Sequence, residues 1–527
     1  MLSVSSKAVV MRELSKTAAS PLEFRPRTVI VASLLAAAVI ATAGSLSDIS
    51  LGDETSHIRH TRAYAESGSR VPYDPLFSSI DNRDPRPFGA TPLWHAGLAI
   101  LWRLIGSPSQ MVAQIYQAGF YLLLLLSVYF GVRQIWSNSA ASWAWLLIAT
   151  MPMVCAHSML LYQDVPGIAV SALGLFLLFR RNFLWAGVCL AVAYLIKINM
   201  LSYAPWAVVF AAWWARGTWK RRLRAAVFVA VPVMLALAYD ISWRMAIWGR
   251  LIGAGADDLS GLSVNAMEAF CEKPANFVIW NPDTIYAPRS LLSHLGIPVI
   301  LGVGAAVVRA WDHISKWMWG CVGLAAAGFV VVFVLPGWPQ VRYAFPVFLV
   351  LVMLGGKGLS HSRLSRWLYV MLIAACVAQA GATCVYVFHQ RRISEWDKAA
   401  YAWIRENTPE DARIMCPEQV LSSETGRPFF WGGANPSFFM TEATDKQRQE
   451  LLTYYRVSHI VVPLRRVYDR EAEGDHAGGY ARDFVEKAHT LPYLQKVYEN
   501  PGCVIFRFNP RTGSAADGPV PGRRGPS

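Results

Sequence analysis

The chain has 527 residues, of which 54% are hydrophobic and only 16% charged, with a mean hydropathy of +0.31. That balance excludes an ordinary soluble globular protein. Lys and Arg number 49 against 35 Asp and Glu, a net charge of +14, which in a membrane chain points to basic loops beside anionic headgroups and not to nucleic acid.

Residues 1–27 carry Lys7, Arg12, Lys16, Arg25 and Arg27 ahead of an apolar run from Thr28 to Leu46. The basic stretch is long and no small-residue cleavage site closes the run, so it reads as an uncleaved first span with a cytoplasmic N-terminus. Further spans are expected near 112–132, 141–157, 164–179, 183–197, 200–215, 225–243, 292–308, 317–336, 343–360 and 367–388, about eleven in all. The runs at 164–179, 183–197 and 200–215 are short for a bilayer and read as tilted, broken or buried in the bundle. With the N-terminus inside, Arg133, Arg180 with Arg181, the cluster Arg216, Lys220, Arg221, Arg222 and Arg224, then Arg309, Lys316, Lys357, Arg363 and Arg366 all fall in cytoplasmic connections. This agrees with the positive-inside rule.

Three parts then face outside: a first loop over 47–110, a loop near 248–290, and everything after about His389. The first loop holds an apolar stretch, Thr91 to Leu104, too short to span and suited to the interface. Residues 389–509 read as a small extracytoplasmic α/β domain. A helix presents Trp396, Ala400, Trp403 and Ile404 before Asn407-Thr408-Pro409, and a strand over Arg413–Cys416 follows. Next come a helix near Asp445–Tyr455, an apolar run Ile460–Val462 and a hairpin of Gln495–Tyr498 with Cys503–Phe508. Cys416 and Cys503 are the thiols of that domain and could pair in an oxidising compartment. Residues 510–527, rich in Gly, Pro, Ala and Ser, read as a disordered tail.

Four groups of charges at the outer ends of spans call for explanation. Asp53-Glu54 follows the first span and serves either as a helix start or as a carboxylate able to act as general base. Asp164, two residues before Pro166, is a helix start or a site carboxylate. Lys197 lies between two short spans, where an ammonium snorkels or meets an anion. Arg342-Tyr343 opens another span as an anchor or an anion contact. The cytoplasmic loops show no GxxxxGK or GxGxxG. Two carboxylates with two cations on one face therefore suit a lipid-borne phosphate whose departure from a sugar carbon needs cationic stabilisation.

Gly52-Asp-Glu-Thr55 with Ala63-Tyr64 and Gly68, Thr91-Pro-Leu-Trp94 continuing to Gly106, Gln163-Asp-Val-Pro166, Ala191 to Lys197, and Arg342-Tyr-Ala-Phe-Pro346 occur in that order. Together they resemble the motifs of GT-C type membrane glycosyltransferases, close to the bacterial aminoarabinose transferase and protein mannosyltransferase group. The resemblance implies a polytopic α-helical GT-C fold over 28–388, in a bacterial inner membrane. It also implies inverting transfer of a hexosyl or pentosyl group from a polyprenyl-phosphate sugar to a lipid, glycan or protein acceptor on the outer face. Asp53 would be the base or acceptor-orienting carboxylate with Glu54 beside it, and Asp164 would orient the site. Lys197, Arg342 and Tyr343 would hold the donor phosphate.

The sequence departs from the family where Ser56 stands in place of an Arg and Ile198 in place of a Gly. The Lys before Pro-Pro is missing, with Arg83 or Arg86 the nearest substitute, and Arg86 is taken as a donor contact. His57 and His95 lie near the acidic pair without a three-ligand metal spacing. They read as structural or acceptor-contacting residues, and a divalent metal is left open. A transporter or flippase of lipid-linked sugars is the alternative, and the absence of an internal repeat speaks against it.

Overall fold

The computed structural model describes residues 22–49, 52–67, 77–79, 93–248, 295–314, 320, 323, 344–362, 364–416, 420–431, 444–464 and 485–510. The chain divides into two compact units. The first, Met1–Tyr73, Pro87–Ala254 and Glu268–Arg392, is helical. The second takes Asp74–Arg86, Gly255–Met267 and Ile393–Ser527.

In the helical unit α1 (Pro26–Ser45) and α2 (Gly52–Ser67) are followed by α3 (Leu93–Ile105), α4 (Gln110–Ile135), α5 (Asn138–Thr150) and α6 (Pro152–Met159). Next come α7 (Asp164–Phe179), α8 (Phe183–Ile196), a 3-10 turn (Ile198–Ser202), α9 (Tyr203–Trp214) and α10 (Trp219–Trp248). The unit ends with α11 (Ile297–Arg309), α12 (Phe345–His361) and α13 (Arg366–Gln390). Among the described residues four stretches are helical, long and apolar enough to cross a membrane: Pro26–Ser45, Gln110–Ile135, Trp219–Trp243 and a run beginning at Arg366. The pair α5 and α6, bent by 54° at a break before Pro152, makes a fifth. Helices occupy ten of the eleven expected span positions, but α7, α8, α9, α11 and α12 are too short to count as spans by length alone. The eleventh, 317–336, lies almost wholly outside the described residues.

The short helices follow from burial. Nearly every side chain of α7, from Asp164 to Phe179, is inaccessible. Its roughly 24 Å of length does not have to match the bilayer, because protein and not lipid surrounds it. Small residues let the backbones meet. A Cβ on Gly174 of α7 would lie 3.2 Å from Cys189 Cβ, and one on Gly187 of α8 would lie 2.7 Å from the carbonyls of Phe228 and Val229 on α10. One on Gly356 of α12 would lie 2.6 Å from the Ala140 carbonyl of α5. With no hydrophobic effect to drive helices together inside lipid, this close backbone contact is a main source of association.

The breaks between helices are stitched by one polar stripe. Gln110, Gln114 and Gln117 recur at helical spacing on α4, and each donates its amide to carbonyls at chain breaks. Gln110 reaches Gly44 (3.1 Å) and Ser47 (2.6 Å), Gln114 reaches Met159 (2.9 Å), and Gln117 reaches His157 (3.0 Å) and Tyr162 (2.9 Å). Irregular backbone at membrane depth persists only where such partners replace water.

The second unit is a six-stranded sheet in the order β1-β3-β2-β4-β6-β5, with β1 (Phe77–Ser79), β2 (Arg413–Met415), β3 (Phe429–Trp431), β4 (Val457–Pro463), β5 (Leu494–Asn500) and β6 (Cys503–Phe508). The first three pairings are parallel; β4 with β6 and β6 with β5 are antiparallel. The helices α14 (Glu395–Asn407), α15 (Val420–Thr425) and α16 (Asp445–Tyr454) complete it. Ser394 caps α14, its hydroxyl accepting from the Asp397 amide at 3.1 Å. The buried face of α14 is Ala400, Tyr401 and Ile404, while Trp396 is 49% exposed. Tyr401 therefore takes the place that the spacing assigned to Trp396. The turn after β5 closes on Asn500, whose side-chain oxygen accepts from the amides of Gly502 and Cys503, both at 2.8 Å. Cys416 and Cys503 are buried in the same apolar cluster. The first-loop strand β1, which the sequence did not reveal, lies at the sheet edge beside β3.

Replacing Gly187 by Leu should part α8 from α10 and lower the thermal unfolding midpoint by several degrees, since overpacking costs about 1–3 kcal/mol or more. Gly119→Leu, at a position with open space around its Cβ, is the matched control and should leave the midpoint nearly unchanged.

Candidate functional site

The buried ionisable residues of the helical unit converge where α1, α6 and α13 end and α2 and α7 begin. Arg391, the residue after α13, is fully buried. Its Nη2 donates to Glu54 Oε1 at 2.8 Å, and its Nη1 donates to the Gly44 carbonyl at 3.0 Å and the Met159 carbonyl at 3.1 Å. Glu54 Oε1 also accepts from the Leu161 amide at 3.0 Å. One ion pair without exposed surface thus joins four chain segments.

That pair fixes where α2 starts. Asp53 is the second residue of the helix, inside its first turn and not at the position before it. There a negative charge is favoured by the helix dipole. Glu54 is therefore an internal structural carboxylate in this arrangement, with its charge met by Arg391, and Asp53 is its neighbour on the backbone.

Asp164 opens α7 and is buried. Its Oδ2 lies 3.4 Å from Lys197 Nζ and 3.7 Å from His157 Nδ1. Lys197 caps the C-terminal end of α8 in extended conformation, φ −148°. The ammonium, 14% exposed, is thus turned to a carboxylate at the start of the neighbouring helix. Of the two sequence readings of Asp164, the structure shows the helix start. His157 stacks edge-on against Tyr162 at 5.2 Å and Phe345 at 5.4 Å between ring centroids. Arg342, Tyr343 and Arg86 lie outside the described residues, and the chain resumes with Ala344 and with Phe345 on His157.

A second cluster is made of imidazoles. His57 Nδ1 and His95 Nε2 are 3.0 Å apart, and Gln163 Nε2 is 3.4 Å from His95 Nδ1. His95 thus meets a hydrogen-bonding partner at each of its ring nitrogens, His57 at one and Gln163 at the other. His60 approaches the hydroxyl of Ser56 at 3.4 Å. Burial, aided for His60 by Arg59 and then His57 and for His95 by His60 and then Lys197, pushes both imidazoles well below their usual pKa. Both are neutral hydrogen-bonding groups at pH 7. Among the described residues no group of three His, Cys, Asp or Glu is placed to hold a metal ion. One more buried carboxylate, Asp240 of α10, accepts from Tyr194 OH at 2.6 Å, one turn before Lys197.

The sequence pointed to Glu54, His57, His95, Asp164 and Lys197 but missed Arg391, His157, His60 and Asp240. Arg391 carried no signal beyond a cation after the last apolar run. His157 and Asp240 stood inside apolar runs, a placement that marks intramembrane ionisable residues for notice.

Arg391→Met, which leaves Glu54 buried without its cation, should destabilise the protein by about 3–5 kcal/mol, and the double variant with Glu54→Gln should recover part of that loss. Thermal unfolding of the four proteins measures the coupling. Stability should also fall as pH drops below about 6.5, because the unfolded imidazoles of His60 and His95 take up protons that the folded ones refuse. His60→Gln with His95→Gln should flatten that slope.

No family model matches the chain, and no curated protein is similar to it in sequence. Solved structures are similar in fold. The ArnT of Cupriavidus metallidurans superposes with a TM-score of 0.58 in its apo state, at 12% identity over 90% of this chain and 97% of that one. In its form bound to undecaprenyl phosphate the values are 0.56, 13%, 92% and 98%. The oligosaccharyltransferase AglB of Archaeoglobus fulgidus, in complex with an inhibitory peptide and a dolichol-phosphate, gives 0.57 at 13% identity over 82% of this chain and 69% of that one. All are GT-C glycosyltransferases, and the chain is an integral membrane protein with the GT-C fold.

Proposed function

We propose that the protein is a membrane glycosyltransferase that moves a sugar from a polyprenyl-phosphate donor to an acceptor on the extracytoplasmic face of a bacterial plasma membrane. The observation that carries this reading is the Lys197–Asp164–His157 cluster at the same end of the bundle as the Asp53 turn, inside a GT-C fold. A half-buried lysine turned to a carboxylate at one end of short apolar helices is the kind of cation that an anionic ligand uses. Two of the fold relatives are described with a polyprenyl phosphate bound, which supports a lipid-linked donor.

The reaction is a single displacement with inversion. An acceptor oxygen attacks the anomeric carbon, the carbon–oxygen bond to the phosphate breaks, and the polyprenyl phosphate departs with the bonding pair. The acceptor proton goes to the Asp53 carboxylate. Lys197, with Arg342, Tyr343 and Arg86, meets the charge that grows on the leaving phosphate, and Asp164 keeps the Lys197 ammonium oriented. The Glu54–Arg391 pair holds the turn that carries Asp53, and His57 with His95 lines the acceptor side.

Purified protein reconstituted with polyprenyl-phosphate sugars and envelope acceptors tests the assignment. Asp53→Asn should reduce transfer by roughly 10²-fold or more while donor binding and thermal stability persist. Lys197→Met should lower turnover as well as donor affinity, since the lost charge acts most in the transition state. Lys446→Met, on a surface helix, should do neither. Transfer at the wild-type rate by Asp53→Asn would remove Asp53 from the mechanism.

A further inference from the structure

The opposite end of α7–α10 carries a second, purely cationic group. Between Val165 and Tyr239 the chain contains no Asp or Glu, yet it places Arg180, Arg181, Arg216, Lys220, Arg221, Arg222 and Arg224 around the far ends of these helices. All seven are exposed. Among the described residues none of them has a carboxylate within ion-pair distance.

The local backbone shows that this is more than a solvated loop. Arg181 adopts φ +62°, a left-handed conformation at the end of α7 where glycine is the usual residue. The Arg181 amide donates to the Leu178 carbonyl and the Asn182 amide to the Leu177 carbonyl, both at 2.9 Å, so the helix terminates in a Schellman turn with an arginine at its glycine position. What holds the arginine is α9: its guanidinium lies over the Trp214 ring at 5.3 Å, and Trp214 Nε1 donates to the Phe179 carbonyl at 3.1 Å. Arg180 lies over Phe176 at 5.7 Å. Two guanidinium groups thus lie over aromatic rings beside the start of α10, with Gly217 at φ +113° turning the chain into its basic first turn. Exposed Trp185, Trp213 and Trp219 frame the group, as aromatic side chains do at the headgroup level of a bilayer.

We infer that the ends of α7, α9 and α10 form a binding site for the phosphate of an anionic phospholipid headgroup, held between the stacked Arg180–Arg181 pair and the cations at the start of α10. Stacking pre-orients the guanidinium planes, so less conformational entropy is lost when they bond phosphate oxygens in pairs. The flanking tryptophans meet the glycerol and upper acyl region, which free phosphate lacks. The site is independent of the transfer reaction, lying at the other end of the same helices from Asp164 and Lys197.

The test is native mass spectrometry and thermal unfolding of the full chain in neutral detergent, titrated separately with phosphatidylglycerol, phosphatidylcholine and inorganic phosphate. Phosphatidylglycerol should be retained and should raise the unfolding midpoint, while the other two should not. Changing Arg181, Arg221 and Arg222 together to Ala should reduce retained phosphatidylglycerol by at least about ten-fold, each juxtamembrane cation contributing several-fold. Arg181→Lys, which keeps the charge and loses the stacking plane, should fall between. The matched control replaces Lys398, Lys446 and Lys496, all on the second unit, and should keep wild-type retention. Equal retention of phosphatidylcholine, stabilisation by inorganic phosphate alone, or undiminished retention by the triple variant would each overturn the site. Because Arg221 and Arg222 are exposed, the variant Arg221→Ala with Arg222→Ala folds irrespective of the Arg181 turn and should still show a loss.

Discussion

An unexposed ion pair at 2.8 Å between Glu54 and Arg391, separated by 337 positions in the chain, is the constraint on which the described helical unit turns. Two charges removed from water need hydrogen-bonding partners in place of it, and here the pair recruits two carbonyls and an amide, at the end of α1 and in the break after α6. The ends of α1, α6 and α13 and the start of α2 cannot shift independently. Asp53 inherits its position from this knot.

The same helices have two chemically unlike ends. At one, ionisable groups are drawn inside and meet partners: Asp164 with Lys197 and His157, Asp240 with the Tyr194 hydroxyl, His57 with His95. At the other, seven cations stand in the open. A short buried helix such as α7 connects the two without facing lipid along most of its length, so its residues are selected for packing and for what they present at each end.

Periodicity and apolar runs carry most of the architecture. Runs shorter than the bilayer were legible as buried because their sequence gave them no polar face, and the apolar runs of β4 and β6 were legible from local chemistry alone. Asp164 and Lys197 stood out as charges at the ends of apolar runs. Arg391 did not, because nothing local distinguishes a cation that follows a span from an interfacial anchor; its meaning comes from a partner near the other end of the chain. The glutamine stripe on α4 was similarly hidden. Its period matches the helix, but the carbonyls that it serves are created only by breaks in other helices. Trp396 and Tyr401 exchanged roles because one-face spacing on a helix fixes a stripe and not which neighbour fills its margin.

The sheet of the second unit takes its edge strand, β1, from the first loop, and the partner of that strand, β3, lies in the last quarter of the chain. Synthesis at about 5–20 residues per second therefore leaves Phe77–Ser79 waiting for tens of seconds before their hydrogen-bonding neighbour exists. Over that interval the ribosome delivers the whole run of helices from α3 to α13. Closure of the sheet is thus a late, non-local event in biogenesis, with a high cost in loop entropy, and it reports that the intervening chain has been threaded into the bilayer. A protein stalled at any earlier point exposes an unpaired strand, a feature by which quality-control proteases could tell an unfinished molecule from a completed one.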